Sequence, residues 1–74
     1  MARIDKIERA TMERNSVHNP VDATYTVFQD GDGRPILQID TYGSESRQLP
    51  GKKSQSLQFS SQGLEALRRI LQEI

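Results

Sequence analysis

Ala23-Thr24-Tyr25-Thr26-Val27-Phe28-Gln29-Asp30-Gly31-Asp32-Gly33-Arg34-Pro35-Ile36-Leu37-Gln38-Ile39-Asp40-Thr41-Tyr42 is the stretch on which the reading of this chain turns. Its first part is built from β-branched and aromatic residues, and the segment from Ile36 to Tyr42 partly alternates apolar and polar side chains, the period of a strand with one face toward a core. Between them, Asp30-Gly31-Asp32-Gly33 is strong hairpin chemistry, because glycine and aspartate tolerate the backbone angles a tight turn demands. The stretch therefore predicts two antiparallel strands, about 23–29 and 36–42.

Downstream, Ser56-Leu57-Gln58-Phe59 alternates in the same way and predicts a further strand over about 55–59. From Ser60 or Ser61 onward the pattern changes: Leu64, Leu67, Ile70, Leu71 and Ile74 recur every three or four residues, which puts them on one face of a helix over about 61–74. Either serine could cap it, although Leu64 stands where a full capping box from Ser61 would have Glu, and Gly63 weakens the first turn.

Upstream, residues 4–14 are ambiguous. Ile4, Ile7 and Thr11 fit a helix, whereas Ile4, Ala10 and Met12 fit one face of a strand, and we expect a strand over about 4–13. Asn15 to Pro20 reads as a loop, since Pro20 biases Asn19 away from helix, and a second loop runs from Gly43 to about Lys53. The expectation is thus a single α+β domain over residues 1–74: a four-stranded antiparallel meander followed by one C-terminal amphipathic helix. Tyr25, Val27, Leu37, Ile39, Leu57 and Phe59 would face the helix. Thr24, Thr26, Phe28, Gln38, Asp40, Tyr42, Ser54, Ser56 and Gln58 would face outward.

A chain of 74 residues with 34% hydrophobic residues and only two Phe and two Tyr has little material for a core. It has no cysteine and one histidine, so neither a disulfide nor a zinc cluster can staple it, which leaves association with a partner. The helical stripe Leu64, Leu67, Ile70, Leu71 and Ile74 is wider than a narrow sheet needs, and we expect it to form a homodimer interface. Ten basic and ten acidic residues cancel, so a nucleic-acid partner would have to be met by a local patch. Met1 to Asp5 do not resemble a secretory leader and no long apolar run occurs, so a cytoplasmic protein without membrane contact is expected.

Chemistry-bearing motifs are few. His18 stands in a loop with no cysteine to activate, and its plain role is to shape the turn before Pro20. Asp30-Gly31-Asp32-Gly33 begins like a calcium loop, but Arg34 and Thr41 stand where such a loop needs acidic ligands. No enzyme, metal or cofactor is expected. The densest candidate is Arg47-Gln48-Leu49-Pro50-Gly51-Lys52-Lys53-Ser54-Gln55, with three cations in seven residues followed by neutral donors. Arg47, Lys52, Lys53, Ser54 and Gln55 could hold a phosphate backbone while Phe28 and Tyr42 stack on unpaired bases. The same loop also reads as a solvated turn whose charges only confer solubility.

The run from Leu37 to Tyr42, then Pro50-Gly51-Lys52-Lys53, Ser56-Leu57 and a leucine-rich closing helix resembles the single-stranded-DNA-binding domain of the transcriptional coactivator positive cofactor four over residues 36–74. The resemblance implies a curved four-stranded sheet, a Pro-Gly-basic turn matched by Lys52 and Lys53, a helix that dimerises, and a transcription-related role. The chain departs from that pattern in lacking strongly basic flanks, and Asp40 and Glu45 lie close to the implied surface. Residues 18–25, 38–44 and 51–55 are also similar to a group of short, uncharacterised bacterial proteins, some described as methionyl-tRNA formyltransferase-like. A chain of 74 residues has no room for both a folate cofactor and a tRNA end. Two classes of function follow as expectations: binding of single-stranded nucleic acid, or a protein-protein adaptor or inhibitor working through a sheet edge or the helix stripe.

Overall fold

The computed structural model describes residues 1–43 and 53–74. It contains β1 (Ala2–Ile4), β2 (Ala23–Gln29), β3 (Pro35–Tyr42), β4 (Lys53–Phe59) and α1 (Ser61–Glu73). The class is α+β, with one sheet of strand order β1-β4-β3-β2.

The hairpin forms where the sequence predicts it. Asp30 N donates to Arg34 O (2.9 Å) and Gly33 N donates to Asp30 O (3.1 Å). The Asp30 carboxylate accepts from the backbone N–H groups of Asp32 and Arg34, each at 2.9 Å. Those two donors hold its pKa below the ordinary carboxylate value, the Arg34 bond being the larger influence. Gly33, at φ 79°, supplies the left-handed residue that closes the turn. Pro35 opposes Gln29, a position in the ladder that asks for no donor.

The sheet is not the antiparallel meander expected. β2, β3 and β4 are antiparallel neighbours, but β1 pairs parallel to β4, with Ala2 opposite Leu57 and Ile4 opposite Phe59. The expected strand over about 4–13 does not form: β1 covers Ala2–Ile4 and shares only Ile4 with it, and residues 5–22 contain no helix or strand. Strand directions explain why. β1 and β2 run the same way at opposite edges, so the chain between them must cross the sheet and return along its length, which a tight turn cannot do. Part of this crossover passes beside α1, where Arg9 lies 3.9 Å from Glu73 and Ile7 is half-buried.

α1 starts from an extended Ser60 (φ −72°, ψ 176°) whose hydroxyl accepts from Gly63 N at 3.2 Å. This is N-capping, and it selects Ser60 over Ser61. The same serine joins the helix to β1: Ser60 N and its hydroxyl donate to Ile4 O at 3.1 and 3.3 Å. Gly63 is buried against this junction, and a Cβ there would collide with the Ile4 carbonyl. The glycine that costs the first turn its propensity is what lets the helix meet β1 closely.

Register confirms that Tyr25, Val27, Leu37, Ile39, Leu57 and Phe59 share one sheet face. The expected helix cover over all of them does not hold. Phe59 is buried at 6% exposure, whereas Tyr25 and Val27 are 72% and 63% exposed. Among the described residues, Ile36 and Phe59 are the buried hydrophobic side chains. The Cα radius of gyration is 14.6 Å, against about 11 Å for a compact chain of this length.

Candidate functional site

The second sheet face carries Thr24, Thr26 and Phe28 from β2, Ile36, Gln38, Asp40 and Tyr42 from β3, and Ser56 and Gln58 from β4. Strand alternation collects them, because residues two apart point the same way and the register aligns the three strands. Arg3 of β1 lies opposite Gln58 and joins the same face. A shallow cleft lined by Met1, Ala2, Arg3, Gln38, Ser56 and Gln58 opens there.

Asp40 organises this surface. Although expected to face outward, it is only 2% exposed. Its carboxylate accepts from the Ser56 hydroxyl at 2.5 Å and from Gln38 Nε2 at 3.0 and 3.2 Å. Gln58 Nε2 in turn donates to Gln38 Oε1 at 2.9 Å, so the two amides are held in one orientation. The Lys53 ammonium lies 3.3 Å from Asp40. A register shift between Thr41 and Tyr42 places Lys53 opposite Tyr42, at the end of the face from which it reaches Asp40. The Ser56 bond, with help from Gln38 and Lys53, holds the Asp40 pKa below its ordinary value, outweighing the opposing effect of desolvation. Asp40 is therefore a carboxylate at neutral pH, and the Lys53 cation beside it leaves this part of the face close to neutral.

The predicted site residues divide accordingly. Phe28 and Tyr42 lie on the Asp40 face, Phe28 being 43% exposed and Tyr42 half-buried with its hydroxyl 3.0 Å from Thr24 Oγ1. Along β3, however, Phe28 opposes Ile36, so the two rings stand at opposite ends of the hairpin, about 20 Å apart at the usual rise per residue. Lys53 is on the face but ion-paired, Ser54 and Gln55 are exposed, and Gln55, opposite Thr41, belongs to the other face. Arg47 and Lys52 lie outside the described residues. Of the helix stripe, Leu64, Leu67 and Ile70 are half-buried, while Leu71 and Ile74 are 59% and 94% exposed.

Arg3 was missed by sequence reasoning, since nothing in Met1 to Asp5 signals that a three-residue strand will add to the far edge. Its guanidinium pairs with Asp5 at 3.1 Å. His18 is exposed in the irregular crossover. Among the described residues no group of three or more His, Cys, Asp or Glu side chains is placed to hold a metal ion, and no helix is long and apolar enough to cross a membrane. Comparison with protein-family models, with curated proteins and with solved structures finds no match.

Proposed function

We propose that this chain binds single-stranded nucleic acid on the Asp40 face of its sheet. What supports the reading is the shared register of Phe28, Tyr42, Gln38, Gln58, Thr24, Thr26 and Arg3 on one face. Unpaired bases offer π-faces for the two aromatic rings and hydrogen-bonding edges for hydroxyls and amides. The Gln58-Gln38-Asp40-Ser56 chain of bonds fixes the amides in place before a ligand arrives, which lowers the ordering cost of binding. Asp40 is neutralised by Lys53, and the phosphates are met by Arg3 and, in this proposal, by Arg47 and Lys52.

Fluorescence anisotropy of a labelled, unstructured oligonucleotide at two salt concentrations tests this. Micromolar or tighter binding that weakens with salt is the expected result, and no binding at low salt overturns it. Phe28→Ala lowers affinity by about 1–3 kcal/mol if the ring stacks on a base. Tyr42→Phe, which keeps the ring and loses only the Thr24 contact, leaves affinity nearly unchanged.

A second reading, a protein-binding adaptor, is favoured by one observation. β2 is exposed along its whole length at the edge of the sheet, an arrangement suited to strand addition.

A further inference from the structure

We propose that the free edge of β2 is the interface with a second copy of this chain, the two β2 strands pairing antiparallel across a two-fold axis at Thr26. The proposal rests on the direction of the backbone groups and on the sequence of the strand itself.

Asp30 N bonds Arg34 O, and Tyr42 N bonds Asp22 O. Since an antiparallel ladder alternates hydrogen-bonded and non-hydrogen-bonded pairs, the even-numbered residues of β2 spend their backbone groups on β3. The N–H and C=O groups of Ala23, Tyr25, Val27 and Gln29 therefore point away from the sheet. Among the described residues β2 ends the strand order, and all seven of its own are exposed. An edge is normally blunted by a charge, a proline, a bulge or shortness. Ala-Thr-Tyr-Thr-Val-Phe-Gln has no charge and no proline, and its pairing with β3 is unbroken over seven residues.

The strand is also complementary to itself. With Thr26 on the axis, Tyr25 faces Val27 of the second copy, and Ala23 faces its Gln29. All four outward-pointing residues then pair with outward-pointing residues, giving about eight hydrogen bonds. Tyr25 and Val27, the 72% and 63% exposed side chains of one face, become two aromatic-to-β-branched cross-strand pairs, a favourable combination. Moving the axis by one residue to Tyr25 or Val27 leaves an outward-pointing residue unmatched at a strand end. The adverse pair is Asp22 with the second copy's Asp30, and the latter carboxylate is already bonded within its turn. The helix stripe is a poorer candidate, because Leu64, Leu67 and Ile70 are half-buried within their own chain.

The pairing completes the site proposed above. Phe28 of the second copy lies opposite Thr24, whose hydroxyl touches Tyr42. Two rings at opposite ends of one hairpin become neighbours across the dimer, and the two ring pairs so formed flank the Thr26 axis. This last consequence rests on the nucleic-acid reading, whereas the dimer itself does not.

The test therefore uses protein alone. Sedimentation velocity should give twice the 8.4 kDa of one chain. Val27→Asp should yield the monomer, and adding Tyr25→Lys should restore the dimer, because the introduced lysine then faces the introduced aspartate. As an independent probe in a chain without cysteine, Thr26→Cys should cross-link to completion under mild oxidation. Opposed residues of a non-hydrogen-bonded pair lie about 4.5 Å apart at Cα, within disulfide reach. Phe28→Cys, which faces Thr24, should not. A monomeric native chain, a dimer that survives Val27→Asp, or equal cross-linking at both positions would overturn the proposal. Because no oligonucleotide is present, a failed dimer and a failed anisotropy experiment are told apart.

Discussion

The two edges of the sheet are built on opposite plans. β1 is three residues long, is tied through Ile4 O to Ser60, and has Gly63 of α1 pressed against it. β2 is seven residues long and exposed throughout. A short edge joined to a helix offers little to another chain, while a long uncharged edge is an open template. The fold thus concentrates its packing at the β1, β4 and α1 corner, and among the described strands the hairpin's outer strand has β3 as its one neighbour. With the proposed β2 dimer, stability and association fall to different ends of one small sheet.

The largest expected effect lies at the packed corner. Phe59→Ala removes a buried ring opposite both Ile4 and Leu37, and a loss of about 3–5 kcal/mol is expected. A chain of this size has little more than that in reserve, so circular dichroism should report an unfolded protein. A folded Phe59→Ala variant would mean that stability resides elsewhere and would break the comparison.

Gly63→Ala sets two principles against each other. Helix propensity alone favours alanine by about 1 kcal/mol, but the added Cβ collides with the Ile4 carbonyl, which is backbone and cannot step aside cheaply. A net destabilisation of ~1–3 kcal/mol is expected by urea denaturation. A stabilised variant would show that the helix and β1 do not meet so closely.

Acid should act through the middle of the sheet. Asp40 has a lowered folded-state pKa, chiefly from the Ser56 bond. Its contribution is therefore fully present above the ordinary value of 3.8 and is lost as pH falls through the lower folded value. Asp30, lowered by its turn bonds, acts in the same sense. Asp40→Asn should flatten the fall in melting temperature as the pH drops below about 5, and an unchanged profile would assign acid sensitivity to the other two lowered carboxylates, Asp30 and Asp5.

The two edges also separate what the sequence discloses from what it hides. The hairpin was legible because turn chemistry and alternation are local, and α1 was legible because a stripe at helical spacing is local too. β1 was not, since three residues cannot display a period and their pairing with β4 is settled by contacts more than fifty residues away in sequence. Alternation also sorted the two faces correctly while misjudging their cover. It tells which residues share a side, as with Tyr25 and Phe59, but not how far one helix reaches across the sheet. Asp40 was read as outward by parity, and its burial depends on Ser56, Gln38 and Lys53 converging from two strands. Phe28 and Tyr42 shared a face as expected, yet only the register revealed that they stand at opposite ends of it.

The smallest effect is the one that weighs most on the open edge. Val27→Thr keeps shape and β-propensity and changes one methyl to a hydroxyl at a position 63% exposed in the isolated chain. If water covers β2, the variant should lie within about 0.5 kcal/mol of the native protein at every concentration, as surface substitutions do. If a second copy covers it, two Tyr25-Val27 contacts per dimer are weakened, and a cost of up to ~1 kcal/mol per pair appears. That cost should be accompanied by a melting temperature that rises with protein concentration in both proteins, because association stabilises by mass action. Thermal scans over a hundredfold dilution distinguish the cases: parallel, concentration-independent curves would mean that the β2 edge is solvated, and curves whose midpoints rise with concentration, lower for Val27→Thr throughout, would mean that it is covered.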